Sequence, residues 1–127
     1  MNGKGDQLSR RLLEFIVGVI HSVDKLPNTA AGRHMGNQLL RAGTSCGANY
    51  EEGCAAESRA DFIHKLGLSL KELKETRYWL RLIQNTKMLD PQYADPLFEE
   101  CDELCAIIGK SISTARNKRK QPVHTNK

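Results

Sequence analysis

Apolar residues return every three or four positions through four stretches of the chain, with polar or helix-breaking residues between them. In the first stretch, about residues 6–25, Leu8, Leu12, Phe15, Val19, Val23 and Leu26 share one helical face. Leu13, Ile16, Val17 and Ile20 lie beside that stripe, so the apolar arc is about 200° wide against the roughly 100° of an ordinary surface helix. Arg10, Arg11, Glu14, His21 and Lys25 fill the remainder. This helix is expected to bury two sides, one in its own core and one elsewhere.

Leu26-Pro27-Asn28-Thr29 reads as a connection with Thr29 as the N-cap of a second helix, about 30–56. Met35, Leu39, Ala42, Cys46, Asn49 and Gly53 share a face, and Gly36, Gly43, Gly47 and Cys54 form a flank. Each mid-helix glycine costs up to about 1 kcal/mol relative to alanine, so their alignment predicts a close helix approach along that seam. Ser58-Arg59-Ala60-Asp61 resembles a capping box for a third helix, about 59–86. Phe62, Leu66, Leu73, Leu80 and Ile83 make its core stripe; Leu68, Tyr78, Trp79 and Leu82 point the other way and predict a second packing surface. Asp95-Pro96 fits the start of a fourth helix, about 96–116, with Leu97, Cys101, Leu104, Cys105, Ile108, Ile112 and Ala115 on one stripe. Short connections favour antiparallel neighbours, so the expected fold is an all-α, up-down-up-down four-helix bundle over 1–117 with a flexible basic tail over 118–127.

Charge refines the picture. Residues 116–127 hold Arg116, Lys118, Arg119, Lys120 and Lys127 and no acid, so the formal charge of +4 is a property of the tail, while the body carries −1. The longest apolar run, Phe15 to Ile20, is far short of the ~20 residues that span a bilayer, and the N-terminus is polar. The expected compartment is the cytoplasm, with no membrane partner, where Cys46, Cys54, Cys101 and Cys105 stay reduced.

With the helices placed, the segment Leu39-Leu40-Arg41-Ala42-Gly43-Thr44-Ser45-Cys46-Gly47-Ala48-Asn49-Tyr50-Glu51-Glu52-Gly53 resembles helix two of the four-helix-bundle family of proteins encoded in intervening sequences of 23S ribosomal RNA genes. Asp61-Phe62, Lys65-Leu66, and Glu72 through Glu75-Thr76 to Tyr78-Trp79-Leu80 resemble its helix three, and the similarity covers about residues 8–115. The resemblance implies subunits that assemble into rings, typically pentamers, and no catalytic residues. The fold is also similar to the accessory protein of diversity-generating retroelements, a basic pentamer that binds nucleic acid and a reverse transcriptase. The near-neutral body here departs from that relative.

Chemistry-bearing residues read two ways. Cys101 and Cys105, one turn apart, with Cys46 opposite, could offer thiolates to zinc, yet all three lie on apolar stripes where small hydrophobes belong. Glu51, Glu52, Glu72 and Glu75 lack the Glu-x-x-His partners of di-iron bundles, and His21, His34, His64 and His124 are scattered. No cofactor, metal or catalytic site is expected. Asn49, with Ser45 beside it, is expected to bond Glu72 or a carbonyl across the bundle, because an unpaired buried amide costs about 1–3 kcal/mol; the alternative is a wet edge. Lys74, Arg77 and Arg81 cluster on one flank of helix three, and with Arg116, Lys118, Arg119 and Lys120 they could hold phosphates or simply solubilise the chain. The chain thus reads as a homo-oligomeric scaffold presenting surfaces to a protein or RNA partner, assembled through Leu13, Ile16, Val17, Ile20, Leu68, Tyr78, Trp79 and Leu82. The alternative is an accessory protein of a reverse transcriptase system that binds RNA or DNA through the basic tail with Lys74, Arg77 and Arg81.

Overall fold

The computed structural model describes residues 4–120, and side chains within 7–118. Four helices follow one another: α1 (Lys4–Val23), α2 (Ala30–Cys54), α3 (Arg59–Thr86) and α4 (Pro91–Lys120). No strand occurs among the described residues.

Two helix starts follow from local side-chain chemistry. Thr29 is extended, and its hydroxyl accepts from the Gly32 amide at 3.0 Å; Ser58 accepts from the Asp61 amide at the same distance. Each satisfies an amide with no carbonyl one turn behind it. At the far end of α3, Lys87 adopts the left-handed conformation (φ 58°), and the Met88 amide reaches back to the Ile83 carbonyl at 3.3 Å.

The fourth helix starts at Pro91, not at Pro96. Asp90-Pro91 carries the same start signal as Asp95-Pro96, and Asp90 Oδ1 accepts from the Gln92 amide at 2.9 Å. Pro96 then sits inside the helix, where it withdraws one amide from the ladder early in its course. Asp95 instead accepts from Gln84 of α3 at 2.9 Å. The helix also runs past Arg116 to Lys120, so Arg116 and Lys118 are exposed helical residues. Residues 121–127 of the expected tail lie outside the described residues.

The helices pack around a square, α1 on α2, α2 on α3, α3 on α4 and α4 on α1, and among the described residues no Cα atoms of the diagonal pairs come within 8 Å. In each neighbouring pair the contacts run in opposite order. Along α1–α2, Ile16 meets Gly47, Val19 meets Gly43 and Val23 meets Gly36. Along α2–α3, Lys65 holds Glu52, Arg41 holds Glu72 and His34 meets Trp79. Along α3–α4, Arg77 holds Asp102, Arg81 covers Phe98 and Gln84 holds Asp95. Between α1 and α4, Gly18 meets Leu97, and Arg11 grips Glu100 through two nitrogens at 2.6 and 2.8 Å and Glu103 at 2.5 Å, a forked arrangement that raises its pKa.

The core is built from Leu12, Phe15 and Val19, Leu39 and Tyr50, Leu66, Leu73, Leu80 and Ile83, and Leu104, Ile108 and Ile112. Ile63 is buried where Phe62 was expected, and Phe62 is only half-buried. The glycine flank of α2 is its seam with α1. A Cβ at Gly47 would stand 2.5 Å from Ile16 Cδ1, and on the α3 side one at Gly53 would stand 2.7 Å from Leu66 Cδ1. Bare backbone therefore lets both neighbours approach.

Two glycines outside those contacts test the spacing. A Cβ at Gly32 would be driven into the Pro27 carbonyl group, whereas one at Gly67 meets nothing within 4 Å. Gly67→Ala is expected to stabilise the fold by up to about 1 kcal/mol through helix propensity. Gly32→Ala is expected to destabilise it by about 1–3 kcal/mol through overpacking. Urea unfolding checks both, and equal signs for the two would contradict this packing.

Candidate interaction surfaces

On α1 the outward apolar strip consists of Leu13, Val17 and Ile20, which are 62%, 42% and 41% exposed. Their i, i+4, i+7 spacing places them in one line. Ile16, expected beside them, instead belongs to the chain's own core, with Cδ1 over Gly47. The cause lies on the neighbour: with no side chain at 47, the isoleucine drops into the gap. Next to the strip runs a groove of about 230 Å³ lined by Leu13, Ile16, Thr44, Gly47 and Ala48. A hydrogen bond from Ser9 to Glu51 bounds it, and both residues line it.

The back of α3 is less open than the helical wheel implied. Tyr78 is 56% exposed, but Leu68, Trp79 and Leu82 are half-buried. Trp79 packs against the core margin, edge-on to His34 at 5.7 Å and to Tyr78 at 5.2 Å. Its Nε1 donates to Glu75 Oε2 at 3.1 Å. Glu75 is in turn held by Arg41, which also pairs with Glu72 at 3.3 Å. A wheel treats the helix as isolated, whereas residues of α2 reach over this side.

Asn49 does not reach across the bundle. It is half-buried, and its Nδ2 donates to the Ser45 carbonyl of its own helix at 3.0 Å, with the Ser45 hydroxyl at 3.5 Å. Glu72 binds Arg41 instead. The buried polar link between α2 and α3 comes from Ser69, whose Oγ donates to the Cys46 carbonyl at 2.9 Å. Nothing in the local sequence marks Ser69, because its partner is 23 residues away.

Cys46, Cys101 and Cys105 are buried. Burial pushes the Cys46 thiol up to about 11. Cys101 is raised by its hydrogen bond with Cys105 and by burial, and its Sγ lies 3.4 Å from the Leu73 carbonyl. Cys46 and Cys101 are therefore protonated near neutral pH, whereas the hydrogen bond with Cys101 lowers the Cys105 thiol; a zinc site needs several thiolates together. Among the described residues no three His, Cys, Asp or Glu side chains converge to hold a metal. Glu51, Glu52, Glu72 and Glu75 are engaged by Ser9, Lys65 and Arg41, and His21, His34 and His64 are exposed. His124 lies outside the described residues.

Lys74, Arg77 and Arg81 do come together, with Tyr78, around a cleft of about 310 Å³. Arg77 is tied to Asp102 at 2.7 Å, and Arg81 stacks 4.8 Å above Phe98. Arg116 and Lys118 lie on α4, well along the chain from this cluster; the side chains of Arg119 and Lys120 lie outside the described residues.

The family model described as 23S rRNA-intervening sequence protein matches residues 7–110. A crystal structure of a protein of unknown function from the S23 ribosomal protein family of Bacteroides thetaiotaomicron is 36% identical to the chain. The match covers 83% of this chain and 97% of that one, with a TM-score of 0.76. No curated protein matches the sequence. No helix among the described residues is long and apolar enough to cross a membrane.

The polar assignments above give a paired expectation. Ser69→Ala should cost about 1–2 kcal/mol, since it strips a buried link between helices. Asn49→Ala, losing only an intrahelical bond, should change stability by less than about 0.5 kcal/mol. Denaturant midpoints of the two variants check this, and a larger loss at Asn49 than at Ser69 would contradict it.

Proposed function

The chain belongs to the 23S rRNA-intervening sequence protein family, and on that premise we propose that it is a non-enzymatic helical scaffold that assembles with copies of itself. In this reading the body is an antiparallel up-down-up-down bundle, supported by the opposed order of contacts in all four neighbouring pairs. The cytoplasm is its compartment, in keeping with four cysteines that form no disulfide.

The observation that carries the proposal is the exposed line Leu13, Val17 and Ile20 beside the shallow groove of Gly47 and Ala48. Contiguous apolar surface of this kind marks an interaction site. A further exposed side chain, the aromatic Tyr78, sits on α3, the helix diagonal to α1. Two different patches on opposite sides of one subunit favour head-to-tail contacts, and such contacts close into rings when the rotation permits. Five copies is the number that the family resemblance implies. The ring would present repeated surfaces to a protein or RNA partner. Against catalysis stands the placement of the carboxylates, which hold cations on the outside of the bundle instead of gathering within it.

Light scattering tests assembly against the 14.2 kDa chain mass. The chain should scatter as a multiple of that mass at micromolar concentration, and Val17→Glu should return it to a folded monomer. A wild-type chain that is already monomeric would end the proposal.

A second reading, a nucleic-acid-binding accessory, is favoured by the grouping of Lys74, Arg77 and Arg81 around the exposed ring of Tyr78. Cations and an aromatic face together suit a single strand, with stacking worth about 1–3 kcal/mol per base. Single-stranded RNA should then bind in a salt-sensitive way, about tenfold more weakly to Tyr78→Ala. No mobility shift even at low salt would dispose of this reading.

A further inference from the structure

A cavity of about 780 Å³ opens where the α2–α3 connection meets the C-terminal half of α4. Its size falls within the ~300–1,000 Å³ of small-molecule sites. Arg59, Lys110 and Lys118 line it against one carboxylate, Glu57. Like most Lys and Arg side chains among the described residues, these three take part in none of the ion pairs, so no acid competes with an entering anion for them. Three cations against one carboxylate give the cavity a net positive lining, which favours an entering anion. Ser58, the N-cap of α3, also lines the cavity and brings the positive end of a 28-residue helix dipole to it. Phe62 and Ile107 supply an apolar wall, and Phe62 is only half-buried.

We propose that this cavity binds a phosphate monoester carrying a flat apolar group, such as a nucleoside 5′-monophosphate. The cations and the α3 N-terminus hold the phosphate, and Phe62 receives the base. The half-buried state of Phe62 follows from this placement: the ring forms a wall of the cavity, while Ile63 takes the core position. The same chemistry is offered by a free mononucleotide and by the 5′-phosphorylated end of an RNA chain. None of the lining residues belongs to the surfaces assigned to self-association, so the two proposals stand or fall separately.

Titration calorimetry on the full chain at low salt tests this with adenosine 5′-monophosphate, adenosine, inorganic phosphate and a short 5′-phosphorylated oligoribonucleotide. The monophosphate should bind at least about tenfold more tightly than adenosine or phosphate alone, because both halves of the site contribute. Arg59→Ala and Lys110→Ala, both at exposed positions, should each weaken it about tenfold, with thermal unfolding confirming that the variants fold. Phe62→Leu should reduce the monophosphate to the affinity of inorganic phosphate. An oligonucleotide bound tenfold more tightly through the same residues assigns the site to an RNA end, and equal affinity assigns it to the free nucleotide. Absence of monophosphate binding at millimolar concentration would overturn the proposal. So would binding indifferent to both Arg59→Ala and Lys110→Ala, or inorganic phosphate binding as well as the monophosphate.

Discussion

Where α1 meets α2, Gly47 presents bare backbone and Ile16 fills the space that a side chain would take. That contact sets how far α1 sinks against α2, and with it which residues of α1 face outward. Val19 and Val23 settle on Gly43 and Gly36 in the same seam, and Leu12 and Phe15 complete the inward face. The helix carries more apolar side chains than its two neighbours can cover. Leu13, Val17 and Ile20 are the exposed remainder. Burying an aliphatic side chain of this size contributes about 1.5–3 kcal/mol at full burial. Three half-covered ones in a line therefore hold enough driving force to matter for association and too little to determine the fold.

The polar groups divide by depth. Inside, Ser69 and Thr76 satisfy themselves on carbonyls, one on the neighbouring helix and one along its own, and Cys46, Cys101 and Cys105 are buried packing groups. At the margin, ion pairs clip neighbouring helices together, the forked hold of Arg11 on Glu100 and Glu103 among them. Such exposed or half-exposed pairs are individually worth about 0–1 kcal/mol, so they set register and orientation more than they supply stability. Arg59, Lys110 and Lys118 differ from the other cations outside these ion pairs in lining one cavity together.

Much of this was legible in the sequence where the determinants are local. Thr29 and Ser58 cap their helices because a hydroxyl three residues ahead of an orphan amide is a short-range arrangement. The start of α4 was misplaced because Asp90-Pro91 and Asp95-Pro96 give the same signal and only tertiary contact separates them; Asp95 is drawn to Gln84 of α3. The helical wheel placed faces well and depths poorly. Ile16 and Trp79 were assigned outward from their angle alone, but a missing side chain at 47 admits the first and residues of α2 cover part of the second. Asn49 took the nearest carbonyl, one turn back in its own helix, in preference to one across the bundle. The Ser69–Cys46 link and the Arg59–Lys110–Lys118 cavity join residues far apart in the chain, and no periodicity announces them.

In the proposed assembly another copy of the chain covers the strip left over on α1. Methyl-detected NMR with a soluble paramagnetic agent reads it directly in the unmodified protein. The account predicts that the methyl groups of Leu13, Val17 and Ile20 are shielded from the agent at micromolar concentration and above, and become accessible on dilution as the surface at α2's Gly47 and Ala48 does. Methyl groups fully accessible at every concentration would contradict it.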